Sequence, residues 1–237
     1  TDRDDPLAAK MGGAVERKIG FSLSEPEGED FGLQTTGDGT WLIRNGKRLL
    51  NAAELKIPGR HNQANALAAL ALGSLVGLPM DAMLTALRSY GGLPHRTQWV
   101  AEKRGLQWYN DSKGTNPGAT MAALQGLHPA SGESRTLLIA GGDCKGADFT
   151  ELAPVAAETT RAVILIGRDA PMLEAVMAES CRLVQASSLE DAVRLALELG
   201  QPGDRVLLSP ACASFDMFKN FEQRGEAFVQ AVEALSS

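Results

Sequence analysis

Positive charge is in deficit along this chain of 237 residues: 23 Lys and Arg stand against 29 Asp and Glu, a net charge of −6. A general nucleic-acid binder needs a clustered excess of cations to neutralise phosphates, so that class is excluded. An anionic membrane surface is excluded as a partner on the same ground. Long apolar runs are missing too. The longest helical one, Ala64 to Leu78, is broken by Gly73, Ser74 and Gly77 and falls short of the ~18 residues of a membrane span. Cysteine is scarce: Cys144, Cys181 and Cys212 are odd in number, widely spaced and without a C-x-x-C pair. No disulfide framework is expected, and a reducing cytoplasmic location is. His61, His95 and His128 lie too far apart for a zinc signature, so no metal ligand is assigned. The chain opens Thr-Asp-Arg-Asp-Asp, without a signal peptide and without Met, so the front of a longer protein is expected upstream.

Among the patterns present, the first sixty residues read as short strands and turns. Ile19 to Leu23 is a candidate strand and the acidic stretch Ser24 to Asp30 a solvated loop. Trp41–Arg44, Asn45-Gly46 and Lys47–Leu50 form a hairpin signal, because Asn-Gly supplies the positive φ of a two-residue turn. Pro58-Gly59 closes this part. A helix with Ala64, Leu67, Ala68, Ala71, Leu72 and Leu75 on one face follows, then a second from Met80 to Ser89 begun by Pro79. Gly91-Gly92-Leu93-Pro94 reads as an extended linker, which divides the chain into 1–93 and 94–237.

Beyond the linker, apolar strands alternate with amphipathic helices. Strands are expected near Thr97–Ala101, Leu106–Asn110, Thr136–Ala140, Ala162–Ile166, Arg182–Val184 and Arg205–Leu208. Such alternation implies an α/β domain, a mostly parallel sheet covered on both faces. Ligands of such sheets bind outside the carboxyl ends of the strands. Three loops there are polar: Asp111–Gly118, Gly141–Phe149 and Ser209–Ser214. The first carries Asp111, Lys113 and Thr115, suited to phosphate, Mg²⁺ or ribose. Lys145 sits in the second as a point charge for a carboxylate or phosphate. Ser214 in the third reads as the start of the last helix, where an anion is favoured. Singly, each is a plain strand-to-helix turn; three at one sheet edge favour a site. Cys212 and the three tryptophans, Trp41, Trp99 and Trp108, read as packed residues, as does Phe221 on the apolar face of the last helix. Nowhere does G-x-x-x-x-G-K-[ST] occur, so a triphosphate cradle is not among these residues.

Three segments carry a resemblance: His61-Asn62-Gln63-Ala64-Asn65-Ala66, Gly92-Leu93-Pro94-His95-Arg96 and Asn110-Asp111-Ser112-Lys113-Gly114-Thr115-Asn116. They resemble the Mur ligase family, ATP-dependent amide-forming enzymes of peptidoglycan precursor synthesis. Gly141–Phe149 and Leu208–Gly225 are similar to its D-glutamate-adding branch. The resemblance implies that 1–93 is the tail of a P-loop-type central ATPase domain and 94–237 a Rossmann-like C-terminal domain. It further implies ATP and Mg²⁺ as cofactors, with the main metal ligands upstream, and UDP-N-acetylmuramoyl-L-alanine and D-glutamate as partners of a cytoplasmic monomer. By the same resemblance Asn62, Asn65, Arg96, Asp111 and Lys113 contact ATP. Thr115, Lys145, Ser214 and the backbone of Phe221 hold D-glutamate, and His95 and Lys113 serve the chemistry. The alternatives are a non-catalytic ligand-binding module, or a sister ligase for another amino acid or a folate tail. A pocket for a diamino acid should show an acidic group in the Gly141–Phe149 loop.

Overall fold

The structure is a computed structural model and describes residues 1–11, 18–57, 59–128 and 133–236. Its backbone divides into two compact units, Thr1–Gly91 and Gly92–Ser237.

The first unit opens with a short helix α1 (Pro6–Met11) and builds an antiparallel sheet from β1 (Phe31–Thr36), β2 (Gly39–Arg44) and β3 (Lys47–Asn51). Asn45 and Gly46 both take positive φ, 50° and 68°, and turn the chain between β2 and β3. Helices α2 (Arg60–Leu75) and α3 (Met80–Ser89) complete the unit, and Leu67, Leu70 and Leu84 share a core with Phe31, Leu42 and Leu50. Two expectations need correction. Ile19–Leu23 is no strand; Phe21 makes only isolated bridges to Asp2 and Phe31. The real first strand is β1, where Gly32 is required because a Cβ would strike the Ser24 carbonyl and Pro26. The buried stripe of α2 runs through Ala66, Leu67, Leu70, Ala71 and Gly73, leaving Leu72 on the exposed face. Pro58, expected as a terminator, lies outside the described residues.

The second unit is one six-stranded sheet between two helical layers. Its strands are β4 (Gln98–Lys103), β5 (Leu106–Asn110), β6 (Thr136–Gly141), β7 (Thr160–Ile166), β8 (Leu183–Gln185) and β9 (Arg205–Leu208). Their order is β4-β5-β9-β6-β7-β8; β4 runs antiparallel to β5 and all other pairs are parallel. Helices α4 (Pro117–Leu127), α5 (Leu152–Thr159) and α6 (Ala170–Met177) cover one face through Leu124, Leu152 and Leu173. The other face is closed by α7 (Leu189–Leu199) and α8 (Phe221–Glu233) through Val193, Phe228 and Val232. Residues of β6 and β7 are buried almost throughout, as burial on both faces demands. Caps match their sequence signals: Asn116, Ser188 and Asn220 each accept a backbone N–H three residues on.

Of the tryptophans, Trp108 packs on Phe228, Trp41 carries the Arg48 guanidinium, and Trp99 is exposed on the edge strand β4. Trp99 is therefore not the packed residue expected. At the base of the sheet the buried Asp204 accepts from Arg161 and from the N–H groups of Arg135 and Gln201. Burial alone would raise its carboxyl, but these partners hold it below the usual carboxylate range.

Candidate functional site

Strand order decides where the polar loops meet. β5, β9 and β6 are consecutive in the sheet, so the loops that leave their carboxyl ends are neighbours. Backbone bonds join them. Ala211 donates to the Gly114 carbonyl (2.9 Å), and Gly141 donates to the Pro210 carbonyl (2.8 Å). Asp143 and Ala213 exchange a pair of N–H···O bonds, both 2.9 Å. Glycine is required where they crowd: a Cβ on Gly141 would enter the Ile166 carbonyl, and one on Gly142 the Ala213 carbonyl. Lys145 and Ser214 are thus carried on two loops stitched to each other.

The sulfurs of Cys144 and Cys212 are also joined, with Cα atoms 4.4 Å apart across the same two loops. This single link is a departure from the expectation of no disulfide framework, while Cys212 is packed as expected, 1% exposed within the core. Sixty-eight residues separate the pair in sequence, so only the adjacency of β6 and β9 brings them together. Cys181 is free, and burial pushes its thiol up.

A second correction concerns Ser214. The last helix starts at Phe221 with Asn220 as its cap, so Ser214 does not sit at a helix N-terminus. It is buried in a turn, its carbonyl accepting from Met217 (3.1 Å) and Phe218 (2.7 Å). Lys145 is exposed, takes a left-handed backbone (φ 50°) and holds its ammonium 5.1 Å from the Phe215 ring centre. Phe221 is half-buried rather than core. Its ring faces the Lys113 ammonium at 3.9 Å and meets the His95 ring edge-on at 5.9 Å. Thr115, half-buried, donates its N–H to the Lys113 carbonyl at 2.9 Å.

Asp111 is buried and spends its carboxylate inside the fold. Oδ1 accepts from the Thr97 N–H (2.9 Å) and hydroxyl (3.4 Å), and Oδ2 from the Ser209 hydroxyl (2.7 Å). Burial raises its carboxyl despite these bonds. It ties the loop after β5 to the loop after β9 and to the segment entering β4. Arg96 is exposed, its N–H bonded to the Leu93 carbonyl. Asn62 and Asn65 belong to the first unit, in the first turns of α2, where the Asn65 amide donates to Asn62 Oδ1 at 3.3 Å. Burial lowers the neighbouring His61.

Sequence reasoning missed Arg224. This α8 arginine is 1% exposed, and its guanidinium spans two of the loops: Nε to Ser112 Oγ (3.0 Å), Nη2 to the Ser112 carbonyl (2.9 Å) and Nη1 to the Cys212 carbonyl (3.2 Å). The Ser112 hydroxyl in turn donates a hydrogen bond to the Phe221 carbonyl at 2.7 Å. An arginine among Glu and Gln on a surface helix reads as solvated, so no local signal marks it.

Residues 95–212 match the model of the glutamate ligase domain of Mur ligases. The chain belongs to the Mur ligase family. This Mur ligase chain is 54% identical over 217 residues to the UDP-N-acetylmuramoylalanine–D-glutamate ligase of Nitrosococcus oceani, covering 92% of itself and 47% of that protein. Against the ligase of the same name from Pseudomonas fluorescens it is 52% identical, covering 99% of itself and 52% of that protein. The chain thus spans about half the length of the curated relatives it matches. In fold, it superposes on UDP-N-acetylmuramate-alanine ligase from Thermotoga maritima with a TM-score of 0.66 at 18% identity, over 98% of this chain and 50% of that one. Mycobacterium tuberculosis folylpolyglutamate synthase, solved with ADP and AMPPCP, superposes with a TM-score of 0.63 at 17% identity, over 91% of this chain and 56% of that one. Mur ligases in general depend on ATP and Mg²⁺. Among the described residues no cluster of three His, Cys, Asp or Glu side chains could hold a metal, and no helix is long and apolar enough to cross a membrane.

Proposed function

We propose that this chain is the second half of a cytoplasmic, monomeric ligase that joins D-glutamate to UDP-N-acetylmuramoyl-L-alanine at the expense of ATP. In this reading Thr1–Gly91 is the tail of the central ATPase domain, and Gly92–Ser237 captures the incoming amino acid. In this reading the P-loop and the Mg²⁺ ligands belong to the part of the ligase outside this chain. A substrate carboxylate attacks the γ-phosphate of ATP, giving an acyl phosphate and ADP. The amine of D-glutamate then attacks the acyl carbon and phosphate leaves.

Bringing these anions together requires positioning and charge neutralisation. Asn62, Asn65, Arg96 and Lys113 are assigned to ATP by their match to the family motifs. Asp111 then contributes by holding the Lys113–Thr115 loop rather than by a freely offered carboxylate. Thr115, Lys145, Ser214 and the Phe221 backbone are assigned to the two carboxylates of D-glutamate. The observation that supports this assignment most is the Asp143–Ala213 bond pair, which fastens the Lys145 and Ser214 loops side by side. The loop's acidic groups are engaged elsewhere, Asp143 with Arg168 at 3.0 Å and Asp148 with Thr150, which disfavours a diamino acid. In the complete ligase, Lys145→Ala should raise KM for D-glutamate by about 10- to 100-fold, the loss of one charged hydrogen bond. KM for ATP should stay within about twofold. An unchanged KM for D-glutamate would overturn the assignment.

A further inference from the structure

His95 is held more tightly than its place in a loop requires. Its backbone is left-handed (φ 63°), a conformation that costs a non-glycine residue energy and persists only where the surroundings impose it. They do: its N–H donates to Gln98 Oε1 (3.0 Å) and its carbonyl accepts from the Lys113 N–H (3.0 Å). The ring is pressed against α8 at Gly225. A Cβ there would overlap Nδ1 and come within 2.8 Å of Cε1.

The partner of the ring is Asn110, the last residue of β5, fully buried. Both ends of its amide are identified by backbone groups that have no choice of role. Asn110 Oδ1 lies 3.1 Å from the Ser112 N–H, which can only donate, so that end is the oxygen. Asn110 Nδ2 lies 3.2 Å from the Gly225 carbonyl, which can only accept, so that end is the NH₂. The same NH₂ is 3.0 Å from His95 Nδ1. A donor faces Nδ1, so Nδ1 presents its lone pair, and the proton of the neutral ring is on Nε2. Among the described residues Nε2 has no acceptor.

We propose that Asn110 is a positioning residue that locks His95 in the Nε2–H tautomer, making His95 a hydrogen-bond donor to an anionic oxygen of the substrate rather than a base. The nitrogen able to take a proton is turned into the fold, and the one able to give a hydrogen bond is left for a ligand. This rests on the ligase reading only for the oxygen that receives the bond, on the acyl phosphate or its carboxylate precursor. Removal of the proton from the D-glutamate ammonium falls to another group.

Two measurements test it. Long-range ¹H–¹⁵N correlation spectra of the chain, assigned by loss of one signal set in His95→Gln, should show Nδ1 as the pyridine-like nitrogen and Nε2 as the protonated one. The reverse pattern overturns the tautomer whether or not the protein is a ligase. In the complete ligase, glutamine at 95 retains an amide acceptor toward Asn110 and an amide donor outward but cannot act as a base. His95→Gln should therefore keep kcat within about 10-fold while His95→Ala loses about 100-fold or more. Equal loss in the two variants overturns the donor role. The ligase reading itself stands or falls separately on D-glutamate turnover by the unsubstituted protein and on Lys145.

Discussion

Arg224→Met removes a buried cation while keeping much of its volume, and its outcome follows from a balance that can be worked out. Burial pulls the guanidinium down to about 10, an effect opposed by Asp216 at longer range. At about 1.4 kcal/mol per factor of ten, keeping the charge costs roughly 3 kcal/mol. Three hydrogen bonds from a charged donor, at about 1.5–3 kcal/mol each, more than offset that cost. Methionine relieves the desolvation but leaves the Ser112 and Cys212 carbonyls buried without a partner, at roughly 1–3 kcal/mol each. A net loss of about 2–6 kcal/mol is expected. For a unit of this size that lowers Tm by roughly 6–15 °C, read by calorimetry on the chain. A methionine variant within about 0.5 kcal/mol of wild type at neutral pH would refute the claim that these bonds, and not side-chain volume, join the loops to α8.

Gly141→Ala combines a positive φ of 121° with a Cβ driven into the Ile166 carbonyl, so a loss of roughly 3 kcal/mol or more is expected in urea unfolding. Asp204, held low by Arg161 and two backbone N–H groups against the opposing effect of burial, stabilises the second unit above the ordinary carboxylate range. That contribution disappears as pH falls below it, and Asp204→Asn should flatten the acid limb of a stability–pH curve. Denatured without reductant, the chain should expose a single thiol to alkylation, that of Cys181; three reactive thiols would contradict the Cys144–Cys212 link. Cys144→Ser should cost about 4 kcal/mol by the loop-closure relation for a 68-residue separation, less whatever the Asp143–Ala213 pairing retains.

Much of this was legible in the amino-acid order because the signals are local. Asn45-Gly46 specifies a two-residue turn, and the apolar runs Leu137–Ala140 and Ala162–Ile166 specify strands buried on both sides. Loops after such strands are where polar, glycine-rich segments collect, and that located Lys113, Lys145 and Ser214. What escaped depends on distant partners. β1 was missed because its Gly-Leu-Gln-Thr-Thr run alternates poorly and gains its place from Phe31 in the core. Ser214 reads as a helix start because Phe215–Lys219 carries no breaker, although Asn220 is the real cap. Arg224, Phe221 and the cysteine link are all defined by what another strand brings to them. Asp111 reads as a ligand-facing carboxylate because its partners, Thr97 and Ser209, come from other segments of the chain.

The reciprocal bonds between Asp143 and Ala213 have a consequence for anyone hoping to re-engineer either loop. Grafting a foreign sequence into only one of these segments would leave its neighbour's N–H and C=O facing an unmatched contour, and the graft would settle in the wrong register. The two must be transplanted as a matched set, with Gly141 and Gly142 retained beneath them, because neither segment keeps its contour without the other.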